Sequence, residues 1–335
     1  MTSTATSGIV APWRRPERTD MNYDEQATTA LELLLSKNSV QLVKHFDEVK
    51  VPLLYPARAE LKYDGVFCAV YALEGQQTFV SRTGNILKVP AFAVRPGYIA
   101  DGIWITELIC PGISLEELSG IVSPNRKKKL TDEQAAAMLN AEFIYHDYLT
   151  FAQYIEAHHG HGPMYKDRQI DMLYAAARSN MPTNWRQAGG QVVNSPEAFR
   201  EFAASLIAHG YEGAVLKPYN GDYTPGHKGW RATKIVRGIS LDLACIDFEL
   251  GKAGTKREGL LAKLQFKLPG GGKFWADLGR GWTDARRKEL TDRAVVGDLD
   301  GVIFKVKALQ MSSTGKALRL PKVEEERIDK GVADA

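Results

Sequence analysis

The segment ELKYDG, Glu60 to Gly65, sets a lysine beside an aspartate and a glycine in a short polar break between VPLLYPARA and VFCAVYAL. Asp-Gly between two β-prone runs is a strong hairpin signal, so the fragment alone predicts a turn joining two strands. A lysine at the mouth of two apolar runs also has a chemical reading. An amine held among other cations in a desolvated site becomes a nucleophile. The rest of the chain decides between the two.

Working outward, ARAELKY, VFCAVYAL, QTFVSR and IWITELIC read as strands of one mostly antiparallel sheet. Upstream, DEQATTALELLLSK reads as a helix with acids in its first turn and Leu31, Leu34 and Leu35 on one face. Downstream, TDEQAAAMLN opens with a capping box from Thr131 to Gln134, FIYHDYL is another strand, and RQIDMLYAAARS is helical. NSPEAFREFAASLIAHG is the best-marked helix: Ser195 caps it, Pro196 starts it and Gly210 stops it, with Phe199, Phe202, Leu206 and Ile207 as its core face. YEGAVLKPY and GWRATKIV follow as strands. Beyond Arg237 the texture changes to LDLACIDFEL, LAKLQFKL, GKFWADLG and DGVIFKVKAL, with a helix around TDARRKELTDRAV. Five short strands and one helix in under a hundred residues predict a small closed β-barrel of the oligonucleotide-binding kind. The PGGGK glycines are hairpin punctuation, since no strand-to-helix GK[ST] context surrounds them.

Composition narrows the class. A chain of 335 residues exceeds one ordinary core and predicts two domains. With 44% hydrophobic and 25% charged residues it is a packed globular protein. No apolar run reaches the ~18 residues of a membrane span, and the start has no secretory pattern, so no membrane and a cytoplasmic location are expected (a host's cytoplasm if the chain is viral). Cys68, Cys110 and Cys245 lie far apart with no CxxC pair, which predicts neither zinc nor disulfides. Lys and Arg exceed Asp and Glu only by 43 to 40, but WRRPER, NRKKK (Asn125 to Lys129) and DARRK (Asp284 to Lys288) are local basic clusters of the sort that track phosphates.

Taken in order, ELKYDG, SRTG at Ser81, TEL at Thr106, YHDYL at Tyr145, YEGAVLK at Tyr211 and WRATK at Trp230 resemble the nucleotidyltransferase motifs of ATP-dependent DNA ligases of the short bacteriophage type. LRLPKVEEERIDKG, Leu318 to Gly331, resembles their last motif. The resemblance covers about residues 50–331 and implies an α+β fold: an adenylation domain of antiparallel sheets and helices, then an oligonucleotide-binding barrel. The expected division is a mobile N-terminal arm over 1–22, the adenylation domain over 23–238 and the barrel domain over 239–335.

The implied function is ATP-dependent nick sealing in double-stranded DNA, as in replication and repair, by a monomer that uses ATP and Mg2+. Lys62 would carry AMP, pass it to a 5′-phosphate, and a 3′-hydroxyl would then displace it. By the same resemblance Asp64 positions a metal or the nick terminus, Glu60 meets the adenine amino group, Glu107 the ribose, and Glu212 the magnesium. Lys217 and Lys234 supply charge for the α-phosphate, Arg82 grips phosphate at the nick, and Arg327 and Lys330 serve the β- and γ-phosphates. One of His146 and Tyr145 stacks on adenine, His146 being the residue in register. Three positions depart from the family pattern: Phe67 replaces an arginine, ITE replaces DGE at Ile105 to Glu107, and Ala232 replaces a lysine, with Arg231 expected on the other strand face. The alternatives are an RNA ligase, an RNA-capping nucleotidyltransferase, or a nucleic-acid-binding relative with weakened catalysis.

Overall fold

Strand β2 (Ala57–Lys62) ends on the lysine of ELKYDG and β3 (Val66–Leu73) starts just beyond it, yet the two do not pair. In the computed structural model, which describes residues 21–279, 281–311 and 315–334, they belong to different sheets. The first sheet joins β1 (Leu42–His45), β2, β8 (Gly190–Val193), β9 (Gly213–Pro218) and β10 (Lys228–Val236) in the order β1-β10-β9-β2-β8. The second joins β3, β4 (Gln76–Val80), β5 (Gly102–Ile109), β6 (Glu142–Leu149) and β7 (Trp185–Gln187) in the order β4-β3-β5-β6-β7. Both are antiparallel except at β1–β10 and β6–β7. The expected hairpin and single sheet are therefore corrected. Tyr63-Asp64-Gly65 is a crossing between sheets, and Gly65 is needed because its backbone presses on β5. A Cβ there would lie 2.5 Å from the Leu108 carbonyl oxygen, 2.7 Å from Ile109 Cγ2 and 2.8 Å from Glu107 Cγ.

Helices cover the outer faces of both sheets. On one face of the second sheet lie α1 (Tyr23–Leu34), whose cap Asn22 and Glu25 form a reciprocal box, and α4 (Phe151–His158). Their Ala30, Leu34, Tyr154 and Ile155 pack with Ala69 and Ile103. Leu35, expected on the buried face, is the exposed C-cap. On the opposite face α2 (Leu115–Val122), α3 (Asp132–Met138) and α5 (Tyr165–Arg178) enclose Trp104, Phe143 and Trp185. The Thr131–Gln134 capping box opens α3 as expected. The last helix of this part, α6 (Pro196–Ala208), is capped by Ser195 and buries Phe199 and Ala203 against Ala57 and Leu216 of the first sheet. Phe202, Leu206 and Ile207 are only half-buried there.

The barrel is closed by β11 (Ile239–Leu250), β12 (Leu261–Lys267), β13 (Lys273–Leu278), β17 (Lys322–Glu326) and β14 (Ile303–Ala308) in that spatial order. Helix α7 (Asp284–Val295) plugs it with Leu290 and Ala294, and β15 (Gln310–Met311) with β16 (Leu318–Arg319) forms a ribbon beside it. PGGGK turns between β12 and β13, as expected. The basic reading of DARRK is corrected: Arg287 is buried and donates to the Leu261 and Leu278 carbonyls, while Arg286 pairs with Glu326. Burial of a guanidinium needs such acceptors. Residues 1–20, including WRRPER, lie outside the described residues. The three cysteines are free, and no helix of the described residues is long and apolar enough to cross a membrane.

Gly65→Ala should destabilise the protein by about 1–3 kcal/mol, because backbone and packed side chains on β5 must yield to the new methyl group. Thermal or urea unfolding measures this; an unchanged midpoint would show that the two sheets do not depend on close approach at Gly65.

Candidate active site

The crossing places Lys62 at the seam between the sheets. Its Nζ donates to Glu212 Oε2 at 2.7 Å, and Glu107 of the second sheet is near enough for the two charges to act on each other. Glu212 does not lie within a strand, as had been expected, but on the residue before β9, whose Gly213 pairs with Lys62. A cavity of about 380 Å3 opens here, walled by both sheets. Lys62, Glu60, Lys217 and Lys234 enter it from the first sheet, and Glu107 and His146 from the second. Period-2 alternation along β2 puts Glu60 and Lys62 on this one face.

Each charged group has a distinct electrostatic setting. Burial pushes the Glu107 carboxyl up from 4.5 to about 7, a shift that the Lys62 and Arg82 cations resist, Glu212 strengthens and the Gly65 backbone N–H resists. Lys234 is held below the usual lysine range by burial first and then by the neighbouring Lys62 charge. Deeper in the cavity, Glu60 is 2% exposed and is satisfied twice, by Lys217 Nζ at 2.8 Å and by the Tyr165 hydroxyl at 2.8 Å. Lys217 also donates to the His146 carbonyl at 2.7 Å and lies 3.1 Å from His146 Nδ1. An ammonium can only donate, so Nδ1 accepts and the ring proton sits on Nε2. Burial first, and then the cations Lys217, Lys62 and Arg82, hold this imidazole well below its ordinary pKa, and therefore neutral.

The side chains of β6 settle which of the adjacent aromatics faces the cavity. Ile105 pairs with Asp147 and Thr106 with Tyr145, so His146 is the extra residue of a β-bulge. A bulge re-aims side chains. Tyr145 packs edge-on against Trp104, and His146 lines the cavity with Asp147, which Arg168 holds in a bidentate pair at 2.9 and 3.0 Å. Phe67, opposite Glu107 in the β3–β5 ladder, also lines the cavity, with the Arg82 guanidinium stacked 5.2 Å from its ring centre.

Other anticipated residues lie elsewhere. Asp64 lines a neighbouring cavity of about 280 Å3 that reaches Lys62 from the other side. It is approached by Arg237 at 3.9 Å and by Arg319 of β16 at 3.5 Å, and Arg319 also binds Glu116 at 3.0 Å. Arg327 and Lys330 line neither cavity: both grip Asp242 on β11, at 2.8 and 2.5 Å. Lys217, read as an α-phosphate contact, is engaged with Glu60 and His146. Two lining features were missed in the sequence, residues Gln41 to Val43 at the start of β1 and Lys228. The even spacing of Lys228, Ala232 and Lys234 on a strand was the available signal for the second. Arg231 turns away, as expected, to Asp222 at 2.7 Å. Among the described residues no group of three or more His, Cys, Asp or Glu could hold a metal ion. A hard cation would fit only as magnesium often does, through one or two carboxylates completed by substrate oxygens, and Glu107 and Glu212 flanking Lys62 offer that donor set.

The same architecture occurs in solved structures. A structure from a structure-function study of Lig E DNA ligases superposes with a TM-score of 0.63 over 86% of this chain and 98% of that one, at 17% identity. A second, Pmar-Lig_Pre, gives a TM-score of 0.69 over 86% of this chain and 67% of that one, at 17% identity. The fold is that of a DNA ligase. The ligase fold is accompanied by sequence similarity: the chain is 30% identical over 185 residues to a probable DNA ligase of Kineococcus radiotolerans and 31% identical over 183 residues to one of Anaeromyxobacter dehalogenans. Each match takes in 48% of this chain and 35% of the relative, so the chain matches about a third of the length of these curated relatives. No protein-family model matches the chain.

Because the folded state holds the Glu107 proton more tightly than an unfolded chain, stability falls as pH rises from 4.5 towards 7. Glu107→Gln removes that penalty. The variant should melt at a higher temperature than the parent above about pH 7, by no more than about 3 kcal/mol, and the gain should vanish below pH 4.5. A difference independent of pH in thermal scans would contradict the assignment.

Proposed function

We propose that this chain is an ATP-dependent DNA ligase that seals nicks in duplex DNA through AMP carried on Lys62. The observation that carries the reading is Lys62 itself, set at the seam of a cavity large enough for a nucleotide, with Glu212 at 2.7 Å and Lys234 lining the same cavity from β10, two strands away. In the first step the Lys62 Nζ lone pair attacks the α-phosphorus of ATP, a P–N bond forms, the bond to the bridging oxygen breaks and pyrophosphate leaves. Lys62 must give up a proton to do so, and the Glu212 carboxylate is the acceptor in reach. Lys234, partly desolvated, stabilises the charge growing on the phosphoryl oxygens.

The purine end of the nucleotide lies where Glu60, Lys217 and His146 meet. The neutral imidazole presents a face for stacking, and the Glu60–Lys217 pair leaves carboxylate lone pairs for the adenine amino group. Magnesium, held by Glu107, Glu212 and phosphate oxygens, would neutralise charge on the triphosphate. Sealing then follows with a 5′-phosphate attacking the Lys62-bound AMP, and a 3′-hydroxyl displacing AMP from the DNA. Asp64 lines the second cavity, from which a DNA end would reach Lys62 on the side away from the purine. The barrel and the adenylation sheets would clasp the duplex between them, with Arg327 and Lys330 exchanging Asp242 for ATP phosphates when the barrel turns towards the cavity.

Incubation with labelled ATP, and separately GTP, plus magnesium should label the wild type from ATP and leave Lys62→Ala unlabelled. Label from GTP alone would favour a capping enzyme, and label retained in the variant would overturn the assignment. On the DNA side, Lys127, Lys128 and Lys129 form an exposed run on the α2–α3 loop. Changing all three to glutamine should flatten the logarithmic salt dependence of binding to nicked duplex by roughly 2–3 slope units. An unaltered slope would place the duplex elsewhere.

A further inference from the structure

Of the cations that line the cavity, Lys62 is held by Glu212, Lys217 by Glu60, Arg82 stacks on Phe67, and Lys234 is already assigned to the α-phosphate; Arg231, Arg327 and Lys330 lie outside it, paired with Asp222 and Asp242. Ala232, which lines the cavity on β10 and is 5% exposed, brings no charge. Lys228, at the start of the same strand, is different. It lines the cavity, is exposed, and no ion pair to it occurs among the described residues. Its charge is felt at Lys234 and at His45, lowering the pKa of both.

The β1–β10 ladder explains how it comes so close. Leu42 and Val43 pair with Lys228 and Gly229, but the next residues, Lys44 and His45, pair with Thr233 and Lys234. Trp230, Arg231 and Ala232 therefore bulge out of the ladder. Measured along β1, Lys228 and Lys234 are three residues apart, about 10 Å, where a regular β10 would set them about 20 Å apart. A lysine arm on each side spans the remaining gap to a triphosphate.

The geometry points to Lys228 as the residue that binds the β- and γ-phosphates of the nucleotide and steadies the departing pyrophosphate, a charge supplied from the adenylation sheet itself. The inference rests on the reading of the cavity as a nucleotide site. A phosphate-tail role demands a charge and little else, so the flexible, unpaired lysine at the rim suits it where Lys217, locked between Glu60 and His146, does not.

Calorimetric titration with ATP and with AMP, without magnesium so that no covalent adduct forms, separates the possibilities. Lys228→Ala should weaken ATP binding about tenfold and leave AMP binding unchanged, while Lys228→Arg retains both. The alanine variant should also slow labelling of Lys62 at limiting ATP and seal a pre-adenylated nick at the parental rate. In the same background Ala232→Lys, which puts a cation back on that wall, should restore part of the lost ATP affinity. Equal losses for ATP and AMP would show a merely structural role, and unchanged ATP affinity would refute the inference outright. A wild type that binds ATP and AMP yet never labels Lys62 would defeat the ligase reading while leaving the phosphate comparison intact. A wild type that binds neither would defeat both.

Discussion

The backbone of Gly65 lies against β5 at a distance no side chain could share, and most of the site follows from that contact. It lets the chain leave one sheet on Lys62 and enter the other on Val66 within a single short crossing. Two sheets with separate hydrophobic cores are thereby pinned together at Lys62. The carboxylates either side of Lys62 come from different sheets, Glu212 from the first and Glu107 from the second, so their spacing reports how the sheets are docked. Burial at that docked seam is the first cause of the raised Glu107 pKa, with Glu212 adding to it and the Lys62 and Arg82 cations opposing it.

Away from the seam, rigidity comes from buried ion pairs. Glu60–Lys217 and Asp147–Arg168 are both almost fully enclosed, and neither would be expected to add much net stability, since desolvation offsets attraction. What they provide is orientation. Arg168 ties the cavity edge of β6 to α5, and Lys217 fixes both the tautomer and the backbone of His146. Removing one member of either pair would leave an uncompensated charge in the interior, so these networks constrain the cavity more tightly than the apolar packing around it.

Much of this was legible in the sequence because local signals and tertiary roles coincide. Capping residues such as Thr131 and Ser195 and the short-strand texture after Arg237 mark real helix starts and a real barrel, and the ordered motifs bring Lys62, Glu107 and Lys234 to one cavity with Glu212 beside Lys62. The division of the strands into two sheets was not legible, because Asp-Gly between β-prone runs looks the same whether the strands pair or part. Nothing local marks the close approach of β5 to Gly65. Arg287 was misread for a similar reason: a basic cluster on a helix looks solvated until the barrel carbonyls that receive it are in place. Lys228 shares the even positions of β10 with Ala232 and Lys234, but the irregular pairing with β1, which shortens its distance to Lys234, has no local signal.

The bulge in β6 has a further consequence. Before it, Phe143 and Tyr145 face the core around Trp104; after it, Tyr148 does so while Asp147 faces the cavity. The strand thus carries a change of reading frame, odd positions inward on one side of His146 and even positions inward on the other. Register is the vulnerable property of this segment. A regular strand of the same length would have to turn either the Tyr148 ring out of its core or the Tyr145 ring into the cavity, whereas loss of His146 would restore even alternation, leave both rings inward and strip the imidazole from the cavity wall. The irregularity of the strand and the histidine on that wall are therefore one and the same residue.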